Sequence, residues 1–389
     1  MARNTRDMIV GIDIGSGSLR ALGCIQKEGF KFPVVVATYK RPIDGITRGN
    51  INDAEEVSHA IVDAITTLEE DAGHDTLYTL VSLGAVGLSS HHANGHAQVS
   101  RGDAEVTDLD IDNAIKDANR GIPDIRNKSI VHGIPMKYKV DGNDIAGDII
   151  GVRGNKLEVK TLFVTYPLQC MTVLKKAFDK AEVRVTDIVV GPIAESIPLL
   201  TKKQKVAGVA LINIGAGVTS ILVYENNIPL LVSTIPVGGD DITKDIALGL
   251  KVTLEEAEEI KCGRSQISYS KHRVDEIIEA RLADLCVKIN KELSRIGRQE
   301  LLPAGIVVCG PSSQISNLET VFRNELKLPI KISGSEISKL TNEKLRDSGW
   351  ARVYGLTFLA PRDDEKDVIK EILTSFITRV KNLIIQFLP

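Results

Sequence analysis

One stretch of this chain occurs twice. Met8-Ile-Val-Gly-Ile-Asp-Ile14 is followed by Gly15-Ser-Gly17 and then Leu19-Arg-Ala-Leu22. Further on come Val209-Ala-Leu-Ile-Asn-Ile214, Gly215-Ala-Gly217 and Ser220-Ile-Leu-Val223. Ile12, Ile14, Gly15, Gly17 and Leu22 recur in the same order as Ile212, Ile214, Gly215, Gly217 and Leu222. Each copy is an apolar run, a glycine turn and a second apolar run, the pattern of a β-hairpin. One hairpin constrains little, but two in register predict two copies of the same domain. A length of 389 residues leaves room for both, because single cores stop growing before that size.

Helical patterns follow each hairpin. Val57, Ala60, Ile61, Ala64, Ile65 and Leu68 fall at helical spacing within 54–70, and 242–250 and 274–296 carry similar patterns. Between Gly84 and about Lys160 the texture changes to Asp, Gly and His, with one helical pattern at 109–118 and short strands expected near Ile130 and Val159. Strands at 77–83 and 157–165 frame this segment as an insertion.

A glycine turn between strands exposes backbone N–H groups with no Cβ in the way, a concavity suited to phosphate. Two such turns facing each other would clamp a polyphosphate. Asp13, directly before the first turn, is placed to hold Mg2+ through water, since that ion keeps most of its hydration shell. His91, His92 and His96 are expected in a surface loop, because Asn94-Gly95 breaks the helix that metal-ligand spacing would need.

Gly11-Ile-Asp-Ile-Gly-Ser-Gly-Ser18 resembles the first phosphate motif of the superfamily that joins actin, heat-shock chaperones and sugar kinases. Leu211–Thr219 resembles the second, Ile306–Ile315 the adenosine motif, and Gly191–Ser196 and Ser348–Gly355 the two connecting motifs. Within that superfamily the chain is most similar to the FtsA family of bacterial cell-division proteins. The stretch Ile235-Pro-Val-Gly-Gly-Asp-Asp-Ile-Thr-Lys-Asp-Ile-Ala247, then Leu254–Lys261 and Gly263, carries that likeness, together with the insertion after Leu83.

The resemblance implies two related α/β actin-like domains flanking an ATP cleft, a small α+β insertion subdomain in the first half and a C-terminal amphipathic helix. The expected divisions are 1–83 with 164–195 for the first domain, 84–163 for the insertion, 196–242 with 304–360 for the second domain and 243–303 for its subdomain. A linker at 361–367 and the helix at 368–389 follow. By the same resemblance Gly15, Ser16, Gly17 and Ser18 meet the phosphates of ATP. Asn213, Gly215, Gly217 and Thr219 close from the other side, with Gly238 and Gly239 beside them. Gly310, Pro311 and Ser312 border adenine, and Glu258 and Lys261 reach the nucleoside. Mg2+ enters with ATP, through Asp13 and without direct protein ligands. Departures from the family pattern remove charge: Ser18 replaces a lysine, Asn213 and Ser220 stand where acidic residues are common, Gly191 stands where a glutamate is often found, and Pro311 replaces a glycine. Nucleotide binding with at most weak hydrolysis is therefore expected, and no catalytic residue is assigned.

Residues 369–388 place Ile372, Phe376, Val380, Ile384 and Phe387 on one helical face, with Arg379 and Lys381 toward the other. That is the make-up of a helix lying in a membrane interface. The two basic residues interrupt the apolar run, so it cannot span. The family resemblance implies self-association into actin-like filaments, a tether for FtsZ filaments and recruitment of later division proteins through 84–163. Lys291, Arg295 and Arg298 are candidates for an acidic FtsZ C-terminal peptide. The expected place is the cytoplasmic face of the membrane at the septum. A net charge of −3 and 4% aromatic residues argue against nucleic acid. The five cysteines form no CxxC, which suits reduced thiols, and Met1–Asp7 has no secretory apolar region. The rival readings are a pilus-assembly relative that binds a membrane partner's peptide, a sugar or acid kinase, which needs a catalytic carboxylate, and a chaperone, which needs a further domain.

Overall fold

The computed structural model describes residues 7–361, apart from 28, 31, 101, 266–268, 335, 342–344 and 346. The expected amphipathic helix, with Ile372, Phe376, Arg379, Val380, Lys381, Ile384 and Phe387, lies outside the described residues.

The first half opens with β1 (Asp7–Ile14), β2 (Leu19–Ile25) and β3 (Val34–Arg41), then a short ribbon of β4 (Ile46–Thr47) and β5 (Asn50–Ile51). Next come α1 (Ala54–Ala72) and β6 (Asp75–Leu83). Asp53 starts α1 by accepting hydrogen bonds from the Glu55 and Glu56 amides, and Gly73 ends it in a left-handed conformation. The inserted segment holds β7 (Ser89–Gln98), α2 (Asp108–Ala118), β8 (Lys128–Val140), β9 (Asn143–Ile145) and β10 (Lys156–Pro167). Helix α3 (Leu168–Lys180) and β11 (Asp187–Val190) complete this half.

Helices α4 (Gly191–Leu199) and α5 (Lys202–Ala207) lead into β12 (Val209–Ile214), β13 (Thr219–Glu225) and β14 (Ile228–Ile235). Three helices follow: α6 (Gly239–Leu250), α7 (Leu254–Lys261) and α8 (Lys271–Arg295). The described chain closes with β15 (Ile306–Cys309), α9 (Leu318–Leu326), β16 (Ile330–Ile332), α10 (Glu336–Leu340) and α11 (Ala351–Thr357).

The repeat in the sequence is a repeat in the fold. One sheet runs β11-β6-β1-β2-β3, and the second half reproduces that order as β16-β15-β12-β13-β14. In both, the hairpin pairs antiparallel and the next two strands join in parallel. The registers match: Asp13 faces Arg20 and Ile14 faces Leu19, as Asn213 faces Ser220 and Ile214 faces Thr219. Central strands buried on both faces explain the continuous apolar runs. Helices α4 and α11 link the halves and pack so closely that a Cβ on Gly355 would lie 1.9 Å from the Ala194 carbonyl oxygen.

The inserted strands extend the second sheet through a bridge between Ser233 of β14 and Ser89 of β7. Strands β8 and β10 are thirteen and twelve residues long, well beyond the short strands expected. The histidine segment is strand β7 rather than a loop. Gly95 serves there as a gap for α2, since a Cβ would lie 2.1 Å from the Ala114 carbonyl oxygen. His92 Nε2 bonds the Leu230 carbonyl at 2.9 Å, and no metal-holding cluster occurs among the described residues.

Candidate functional site

The two glycine turns meet. A Cβ on Gly17 would touch the Ala216 Cβ at 3.4 Å, and one on Gly217 would lie 3.0 Å from Ser16 Oγ. Each turn is closed the same way: the Gly15 amide donates to the Ser18 carbonyl at 3.1 Å and the Gly215 amide to the Val218 carbonyl at 2.9 Å. Equal strands and equal turns thus present two short glycine loops to one another across the junction of the halves. Arg48 ties the mouth of this junction, bonding the Pro236 carbonyl and pairing with Asp241 at 3.5 Å.

The second-half candidates assemble around the second turn. The Gly239 amide donates to the Gly215 carbonyl at 2.9 Å and the Asp240 amide to Ala216 at 2.8 Å, which draws the start of α6 against the turn. A Cβ on Gly238 would lie 2.2 Å from the Ala216 carbonyl oxygen, so glycine is needed for this approach. Thr219 Oγ1 donates to the Val237 carbonyl at 2.8 Å. Ser312 Oγ donates to the Gly215 carbonyl at 3.2 Å, bringing the Gly310-Pro311-Ser312 turn to the same place. Gly310 has φ +95, and a Cβ there would lie 2.6 Å from Asn213 Oδ1.

Glu258 and Lys261 share this neighbourhood. Lys261 Nζ reaches Glu258 Oε2 at 2.6 Å, Thr243 Oγ1 at 2.8 Å and the Gly239 carbonyl at 3.1 Å. Partial burial works against the Glu258 carboxylate, but hydrogen bonds from Lys261 and Thr243 outweigh it and hold its pKa below the usual range. The Lys261 side chain is buried against α6, whereas the Glu258 side chain is 44% exposed.

Two residues that sequence reasoning left without a role lie at the centre. Glu195, on α4, is fully buried, and Arg352, on α11, donates from Nε to Glu195 Oε1 at 2.8 Å. Arg352 also pairs with Asp13 Oδ1 at 3.3 Å. Ser82 Oγ donates to that Asp13 oxygen, and the Asn213 side-chain amide donates to that Glu195 oxygen. Burial pushes the Glu195 carboxyl up, while Arg352 and Asn213 pull the other way. Both residues sit inside the connecting motifs, which was the available signal; their pairing spans 157 positions, which no local pattern shows.

The three basic candidates do not form one open cluster. Arg298 is held by Glu225, with Nε to Oε1 at 3.0 Å and Nη2 to Oε2 at 2.6 Å. Arg295 pairs with Glu292 at 3.1 Å, and Lys291 is exposed.

Two related five-stranded sheets with apposed glycine turns define an actin-like protein. Solved structures agree on the fold. A PilM-PilN type IV pilus biogenesis complex matches with a TM-score of 0.67 at 18% identity, over 91% of this chain and 98% of that one. MreB5 of Spiroplasma citri bound to ADP matches with a TM-score of 0.54 at 13% identity, over 95% and 99%. The profile described as cell division protein FtsA matches residues 210–355, and that of the SHS2 domain inserted in FtsA matches 87–165. The cell division protein FtsA of Pseudomonas aeruginosa is 27% identical over 90% of this chain and 89% of its own length. That of Bacillus subtilis is 27% identical over 85% and 79%. The chain belongs to the FtsA family of actin-like cell-division proteins.

Proposed function

We propose that this chain is an ATP-binding scaffold of cell division, and the apposition of its two glycine turns is the observation that carries the reading. Two glycine turns, one from each half, approach one another with no Cβ on Gly17 or Gly217 between them, and glycine turns of this kind suit a polyphosphate. Gly15, Ser16, Gly17 and Ser18 take one side; Asn213, Gly215, Gly217 and Thr219 take the other. Gly238, Gly239, Gly310, Pro311, Ser312, Glu258 and Lys261 border the nucleoside end. Mg2+ travels with the nucleotide's phosphates in this reading, since the Asp13 carboxylate is already paired. The MreB5 structure with ADP supports the nucleotide by likeness of fold.

Loaded with ATP, the chain polymerises, holds FtsZ filaments to the cytoplasmic face of the membrane through residues 368–389, and recruits later division proteins through 84–163. Membership of the family supports these roles. A hollow of about 510 Å³ between β8 and the α3–β11 segment, lined by Val131, Met171, Phe178 and Val185, lies where the insertion meets the first domain. No helix among the described residues is long and apolar enough to cross a membrane.

Thermal melting with and without ATP tests the nucleotide. Binding to the folded state raises Tm by mass action. Gly215→Asp places a carboxylate at the second turn and removes the rise. An undiminished rise in the variant refutes the assignment.

A further inference from the structure

Arg48 is held in a backbone conformation that arginine seldom adopts. Its φ is +51, and Gly49 beside it has φ +78. The two residues form the tip of the ribbon between β4 and β5, and their neighbours fix that tip. The Val86 amide donates to the Arg48 carbonyl at 3.0 Å, and the Asn50 side-chain amide donates to the Val86 carbonyl at 3.2 Å. A Cβ on Gly49 would lie 2.8 Å from Ala85 Cα, so glycine is required for this approach. A left-handed conformation is costly for a residue other than glycine and persists only where the surrounding structure imposes it.

The tip lies where the two glycine turns meet. One point, the position of a Cβ on Gly217, is 3.0 Å from Ser16 Oγ and 3.4 Å from Arg48 Cα. The ribbon thus delivers a long cationic side chain to the junction of the turns. That side chain is 41% exposed and crosses from the first half to the second. Its Nη1 donates to the Pro236 carbonyl, and its Nη2 pairs with Asp241 Oδ1 at 3.5 Å. The ion pair is loose, and Asp241 Oδ2 accepts from the Gly238 amide at 2.9 Å, a bond that starts α6 without help from Arg48. Two other cations of the site are held more closely: Arg352 meets Glu195 at 2.8 Å, and Lys261 meets Glu258 at 2.6 Å. An exposed guanidinium with one loose ion pair and one carbonyl exchanges partners more readily than these.

We propose that Arg48 binds the terminal phosphate of the nucleotide. When a polyphosphate lies between the turns, the guanidinium leaves the Pro236 carbonyl and Asp241 and takes phosphate oxygens, which its planar fork of donors suits. It supplies the positive charge that is absent at Ser18, where the family resemblance leads one to expect lysine. The unusual backbone has a purpose in this reading: it sets the Cα against the second turn while the side chain serves both halves. The inference rests on the nucleotide reading above and adds to it a residue that tells a phosphorylated nucleoside from a bare one.

Calorimetric titration of the full chain with ATP, on wild type and on Arg48→Asn, tests it. Asparagine tolerates the left-handed conformation and removes the charge. The variant is expected to bind ATP at least about tenfold more weakly. A second readout uses the wild type alone: reaction with phenylglyoxal, which modifies exposed arginines, followed by mass spectrometry of the peptide containing Arg48. Saturating ATP is expected to protect Arg48, and adenosine to leave it reactive. If thermal melting shows that Arg48→Asn is not folded, this protection decides alone. Unchanged ATP affinity in the folded variant, or an Arg48 as reactive with ATP as without it, overturns the inference and leaves the nucleotide site standing. Equal protection by adenosine makes Arg48 a strap over the nucleoside rather than a phosphate ligand, and overturns it as well. A wild type that binds no ATP overturns the nucleotide reading and the inference together.

Discussion

His132 should make this protein sensitive to mild acid. It sits on β8, buried, where its Nε2 accepts a hydrogen bond from the Val190 amide of β11 at 3.0 Å. That bond joins the inserted strands to the edge of the first sheet. Burial pushes its pKa from the ordinary 6.5 down to about 3. The folded state thus keeps the ring neutral at a pH where the unfolded chain protonates it. The unfolded state binds more protons throughout that window, so stability is complete above pH 6.5 and is lost as pH falls toward 3. One pKa unit is worth about 1.4 kcal/mol, so lowering the pH to about 5 costs roughly 2 kcal/mol through this residue alone. The perturbation is His132→Gln, which retains an acceptor near the Nε2 position and does not titrate. Denaturant unfolding of wild type and variant between about pH 5 and about pH 7.5 reads the difference in slope. The wild type should lose up to about 1.4 kcal/mol more per pH unit below 6.5. Parallel stability curves would refute the argument, because the other six histidines are common to both proteins.

Three further outcomes are expected. Phe376→Glu should sharply reduce flotation with anionic vesicles while ATP binding stays normal, because a carboxylate is driven toward the acyl boundary; unfolding of the whole protein would instead assign that helix to the core. ATP turnover, followed by phosphate release, should stay well below about 1 s⁻¹, since the Glu195 carboxylate is committed to Arg352 and Asn213; a rate at or above that figure contradicts the scaffold reading. For an FtsZ-type C-terminal peptide, Lys291→Glu with Arg295→Glu should weaken binding measured by fluorescence anisotropy, and unchanged affinity would move the site off this helix end. Arg298→Glu should lower Tm as well, because it breaks the two-point pair with Glu225.

What could be read in advance follows backbone demands. The glycine turns and the runs beside them were legible because a turn that approaches another backbone tolerates few residue types, and because the pattern recurs. Gly238, Gly239 and Gly310 came from the family resemblance, and the structure shows why a Cβ is excluded at each. Gly95 misled the reading of the histidine segment: a glycine that admits a helix against a strand looks locally like one that makes a turn. Arg298 looked available because its partner, Glu225, is 73 positions away at the end of β13. Arg352 with Glu195 and Asp13 was illegible for the same reason, although all three residues lie in recognised motifs. Ion pairs between distant elements leave no periodicity, whereas repeats and tight turns do.

Hydrogen–deuterium exchange with and without ATP tests the central claim most directly. The account predicts that peptides covering residues 11–22 and 211–222 gain protection together, with 306–314 following, because one polyphosphate lies between the two turns and its base beside the third. Protection confined to one turn, or absent from both while ATP is bound, would contradict it.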